Sequence, residues 1–196
     1  MILASFDRTN PMAVRHALKH SATLITDINK ATRAGIRQII AEAFTEGRPP
    51  RETAKLIRAM IGLTEQGAGA VARLRAEMAE DGASREKIDK AAERYTRELI
   101  ADRADMIAQT ESLNSARAGQ VELWNQAREA GLLSGQEMME WIFTDDEVSC
   151  DICEFLAGQK VPIGENFVTE DGTEIEPGDG AHPRCRCSVG LVEAQL

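Results

Sequence analysis

All four cysteines of this chain, and one of its three histidines, fall in the last quarter of its 196 residues. Cys150 and Cys153 bracket two residues, and His182, Cys185 and Cys187 follow across a loop of roughly thirty. Each group places soft donor atoms a few ångströms apart, and a fold that joins the groups makes a tetrahedral metal site. No cysteine precedes Cys150. In a reducing cytosol this spacing favours metal ligation over disulfides or unlinked buried thiols, and zinc is the expected ion.

Zinc takes four ligands and the cluster offers five: Cys150, Cys153, His182, Cys185 and Cys187. The preferred set is the four cysteines, with His182 stacking or hydrogen-bonding beside them. In the alternative, His182 replaces one of the later cysteines. Arg184 and Arg186 flank Cys185 and are expected to offset thiolate charge.

The charge balance changes where the cysteine-bearing region begins. Residues 1–130 carry 20 Lys+Arg against 18 Asp+Glu, and residues 131–196 carry 3 against 14, so the net charge of -9 comes from the second stretch. Two units are expected: a helical arm or bundle over 1–130 and a small β-rich metal-binding domain over 131–196. The mixed charges upstream do not form the basic face that a duplex-DNA reader needs. No leader-like start and no apolar span of membrane length is evident, so a soluble protein is expected.

Apolar residues at helical spacing run from Met12 to Phe44 and predict one long helix. A short helix is expected over 51–61, with the stripe Ala54, Leu56, Ile57, Met60 and Ile61. A third is expected from the cap Thr64 to Asp81-Gly82, through Val71, Leu74 and Met78. Ser84 caps a fourth, with the stripe Ile88, Ala91, Tyr95, Leu99, Met106, Ile107, Leu113 and Trp124, and with breaks allowed near Asp102 or Gly119. Beyond Gly131, strand formers gather at 140–144, 160–163, 166–169 and 188–192, with Asp171-Gly172 as a hairpin signal and 176–180 as an acidic loop. The fold class is α+β, an elongated helical hairpin or bundle followed by a small zinc-stapled β-rich domain. A unit of that size has little core of its own, so a metal staple makes physical sense.

Catalytic patterns are missing. There is no His-x-Glu before a Pro-Cys-x-x-Cys, which disfavours a nucleotide deaminase. There is no βαβ setting for a redox Cys150/Cys153 pair, and no P-loop, dinucleotide fingerprint or Ser-His-Asp set. His16 and His20 lie in a helical stretch and are expected on its surface. The alternative reading is a metal-dependent hydrolase or nuclease using Asp145, Asp146 or Glu147 near the ion, although these acids read more simply as a solvated turn.

The order of motifs resembles the Mu F-like phage minor head (head morphogenesis) protein family. The resemblance covers roughly residues 50–190 and rests on an ordered set, since each piece alone is weak. The set runs through Met106-Ile107-Ala108-Gln109-Thr110-Glu111, Gly119, Trp141, Asp146, Cys150, Cys153, Leu156-Ala157-Gly158 and His182-Pro183-Arg184-Cys185-Arg186-Cys187. Gln109 departs from the family's usual arginine; Thr110 and Glu111 match and are expected to bridge the helix to the zinc domain. The resemblance implies a non-enzymatic virion protein at the portal vertex, present in several copies. Its implied partners are the portal protein and the major capsid or scaffold protein, with incidental contact to packaged DNA and none to membrane.

Overall fold

The structure is a computed structural model that describes residues 11–20, 28–144 and 150–193. Helix α1 (Pro11–His20) and helix α2 (Lys30–Glu46) are separate elements that pack on each other, so the single helix expected over 12–44 is corrected. The reason is local. Asn29 is extended (φ -78°, ψ 169°) and its side chain accepts from the Thr32 N–H at 2.8 Å, which starts a new helix. At the other end Gly47 adopts φ 65° and the Arg48 N–H donates to the Ala43 carbonyl at 2.8 Å, closing α2 in a left-handed cap.

Helix α3 (Pro50–Arg58) begins with proline at its first position, where a missing N–H costs nothing. Ala54, Ile57 and Ile61 of the expected stripe are buried, whereas Leu56 and Met60 are exposed. Helix α4 (Glu65–Glu80) starts at the expected cap, with the Thr64 hydroxyl accepting from the Gly67 N–H at 3.0 Å, and ends at Asp81. It has no buried residue; Val71, Leu74 and Met78 are half-covered.

Helix α5 (Arg85–Glu129) runs 45 residues, about 68 Å at 1.5 Å per residue. Ser84 is its cap residue, although the side chain makes no capping bond. There is no interruption at Asp102 or Gly119. The interior of α5 contains no proline, and one glycine costs a helix only about 1 kcal/mol. Leu113, expected in its apolar stripe, is exposed. Instead Thr110, Glu111, Asn114, Ser115 and Arg117 are buried.

Two apolar cores form along this helix. The first joins Ala17 of α1, Ile36 and Ile40 of α2, Ala54 and Ile57 of α3, and Ala104, Ile107 and Ala108 of α5. The second joins Val121 and Trp124 of α5 to Met139, Trp141, Leu156, Phe167, Val189 and three of the cysteines. Strand β1 (Glu137–Ile142) is the centre of an antiparallel sheet, flanked by β2 (Lys160–Pro162) and β5 (Ser188–Glu193). Trp141 pairs with Val189 in the β1–β5 register and meets Phe167 edge-on at 5.2 Å between ring centroids. Strands β3 (Phe167–Val168) and β4 (Glu174–Ile175) form the expected hairpin, with Gly172 at φ 83° in its turn. One element is additional: helix α6 (Asp151–Leu156), six residues long and directly after Cys150.

Candidate metal centre

The local chain paths aim the donors at one another. Cys150 is the cap residue of α6 in extended conformation, and Cys153 follows within the first helical turn, so both sulfurs face the same side. The second group begins with a tight turn in which the Cys185 N–H donates to the His182 carbonyl at 3.1 Å. Arg184 takes φ 62° there, a left-handed conformation that side chains rarely adopt. The chain then extends, and alternation puts Cys185 and Cys187 inward with Arg186 outward.

The five sequence-predicted donors converge. His182 Nε2 lies 3.2 Å from Cys150 Sγ and 3.2 Å from Cys153 Sγ, and Cys153 Sγ lies 3.7 Å from Cys185 Sγ. They make two overlapping triads, Cys150/Cys153/His182 and Cys153/Cys185/Cys187, with donor atoms within 4.8 Å in each. A tetrahedral ion with metal–sulfur bonds near 2.3 Å holds its sulfurs about 3.8 Å apart, which is the separation of Cys153 and Cys185. All four cysteines are free thiols. His182 is turned into the donor set and not stacked beside it. Its Nδ1 lies 2.8 Å from the Pro183 carbonyl; an N–H donated there leaves the Nε2 lone pair for a metal.

Burial and then the charge of Cys185 push the Cys153 thiol well above its ordinary range. Packed thiols ionise together only when a cation compensates them, so this donor set suits a metal ion. The cavity at the donors measures about 20 Å³, room for an ion or one water.

A buried cation lies beneath the cluster, supplied by α5. Arg117 donates through Nε to the Cys187 carbonyl at 2.9 Å, through one terminal nitrogen to the Cys185 carbonyl at 2.7 Å, and through the other to Asn114 Oδ1 at 2.9 Å. Burial lowers its pKa, while Cys185, Cys187, Asp179 and Cys153 raise it. The guanidinium stays charged. Asn114 Oδ1 also accepts from the Gly180 N–H at 3.1 Å, and the Thr110 hydroxyl accepts from the Arg184 N–H at 2.9 Å. Thr110, Asn114 and Arg117 are spaced four and three apart, so one helix face holds the whole His182–Cys187 segment.

Sequence reasoning assigned the compensating charge to Arg184 and Arg186 and missed Arg117 and Asn114. Arg184 pairs with Asp102 Oδ1 at 2.5 Å, and both Arg184 and Arg186 line the cavity at the donors. The available signal was a run of polar residues where the helical period calls for apolar ones. The bridge expected of Thr110 is present, and Gln109 beside it is exposed. Asp145, Asp146 and Glu147 lie outside the described residues, as do the side chains of His16 and His20. No described helix is long and apolar enough to cross a membrane. Comparison with protein-family models, with curated proteins and with solved structures finds no match.

Proposed function

We propose that this chain is a non-enzymatic assembly protein in which a structural zinc staples the sheet region to a long helix, so that the region acts as a rigid knob. The carrying observation is the convergence of the donor set: five nitrogen and sulfur donors form two triads that share Cys153, with the donor atoms of each triad within 4.8 Å of one another. Cysteine and histidine donors favour zinc over harder cations. A catalytic zinc keeps one position open for water and substrate, whereas the donors gathered here are enough to fill all four positions of a tetrahedral ion. Zinc bound by Cys153 and three of Cys150, His182, Cys185 and Cys187 would contribute folding energy to a region with a small core.

The biological setting follows from the motif order that resembles the Mu F-like phage minor head proteins. On that resemblance the knob and helix act in head morphogenesis at the portal vertex of a tailed phage, in several copies, with the portal protein as principal partner. Two measurements test the reading. Metal analysis of the purified chain should return one zinc per chain, with no nuclease activity on phage or host DNA. The protein should also co-purify with the portal protein of the same phage; its absence from both procapsids and a portal pull-down would reject the assembly role.

A further inference from the structure

Helix α6 has two sides. Cys153 and Leu156 turn into the second core, while Ile152 and Phe155 turn outward and are 45% and 48% exposed. Across from them stands the β3–β4 hairpin, and between the two lies a cleft of about 390 Å³ with Ile175 in its lining. Asp151, Glu170 and Asp171 also line it, and no lysine or arginine does. Among the described residues none of these three carboxylates is in an ion pair. Asp171 stays ionised, because hydrogen bonds led by that from Thr169 hold its carboxyl below the usual range. Two other clefts, which share Pro50 and Leu113, differ: Arg48 in one is paired with Glu46, and Arg184 in the other with Asp102.

We propose that this cleft docks a basic segment of a partner protein, which inserts an aliphatic or aromatic side chain against Phe155 and sets Lys or Arg against Asp151, Glu170 and Asp171. An exposed phenylalanine and isoleucine supply the apolar floor, and uncompensated carboxylates supply complementarity and steering. Phosphate-rich partners are repelled by the same charges. Two copies meeting through this face would oppose like charges across a twofold axis. The proposal deepens the assembly reading by giving the chemistry of a partner, and it fails or stands separately. Portal association that survives Phe155→Ala removes the cleft from the assembly role, whereas peptide binding without portal association leaves the cleft in place.

The test uses the full chain and fluorescence anisotropy with three labelled peptides: Lys-Arg-Leu-Phe-Arg-Lys, Lys-Arg-Ser-Ser-Arg-Lys and Glu-Asp-Leu-Phe-Asp-Glu. The first should bind at least about tenfold more tightly than the other two, and its affinity should fall as salt rises. Phe155→Ala and Glu170→Lys should each weaken it about tenfold. Glu170 is in an exposed turn, so its variant keeps the test valid where Phe155→Ala fails to fold. Equal binding of the Leu-Phe and Ser-Ser peptides, unchanged affinity in a folded Glu170→Lys, or no anisotropy change up to about 1 mM protein would overturn the proposal. So would self-association by light scattering that Phe155→Ala abolishes, since the occupant would then be a second copy.

Discussion

Arg117 donates from all three guanidinium nitrogens to groups that have no water to turn to, so its removal strands the carbonyls of Cys185 and Cys187 and leaves Asn114 Oδ1 with the Gly180 N–H alone. Arg117→Met should therefore cost about 2–4 kcal/mol, read as a lower urea midpoint with Trp fluorescence as the probe. Arg117→Lys should recover only part of that, because an ammonium cannot span two carbonyls and an amide as a planar fork does. Gly178 is a second single-residue constraint. It adopts φ 102°, and a Cβ there would fall 2.6 Å from the Ala118 Cα, which is helix backbone and cannot yield. Gly178→Ala should cost about 1–3 kcal/mol in thermal melts. Gly172→Ala, with φ 83° and nothing within 4 Å of a new Cβ, should cost less. The cysteines and His182 could be chosen from spacing alone because ligand pairs are local. Arg117 could not, since its partners are about seventy residues away and an arginine on a helix is by default a solvated one.

At the scale of elements, helix starts were readable where a capping side chain acts within three residues, as at Thr64, and lost where such a cap sat inside an unbroken apolar period, as at Asn29. Helix α6 escaped because six residues are too few to display a period. The β3–β4 hairpin was readable from Asp171-Gly172, and it offers a pH test. Asp171 accepts from the Thr173 N–H at 3.0 Å and from the Thr169 hydroxyl, which depresses its folded-state pKa. A depressed carboxyl pKa gives stabilisation that is complete above the unfolded-state pKa and is lost as pH falls through the folded-state value. Protection of the Thr173 amide from hydrogen exchange, corrected for intrinsic rates, should therefore decline on acidification below the ordinary carboxylate range. Asp171→Asn should flatten that dependence.

In the whole molecule, α5 belongs to both cores: Ala104, Ile107 and Ala108 serve the helical one, and Val121 and Trp124 the one that contains the cysteines. Among the described residues, the helical core contains none of the five donors, so its stability should be independent of an ion bound by them. Chelation should lower the melting temperature of the sheet region and erase the near-ultraviolet signal of Trp141 while most far-ultraviolet helicity persists. A single concerted transition, unchanged by chelator, would contradict a structural metal. By itself the sequence determined the helix-then-sheet order, the Asp171-Gly172 turn and the five Cys and His candidates of the cluster, because propensity, turn chemistry and ligand spacing act over a few residues. Only the tertiary structure decided that α5 is continuous, that it carries the buried guanidinium beneath the cysteines, and that His182 points into the donor set. Those outcomes depend on which groups must share a low-dielectric interior once distant segments meet, and no local pattern encodes that.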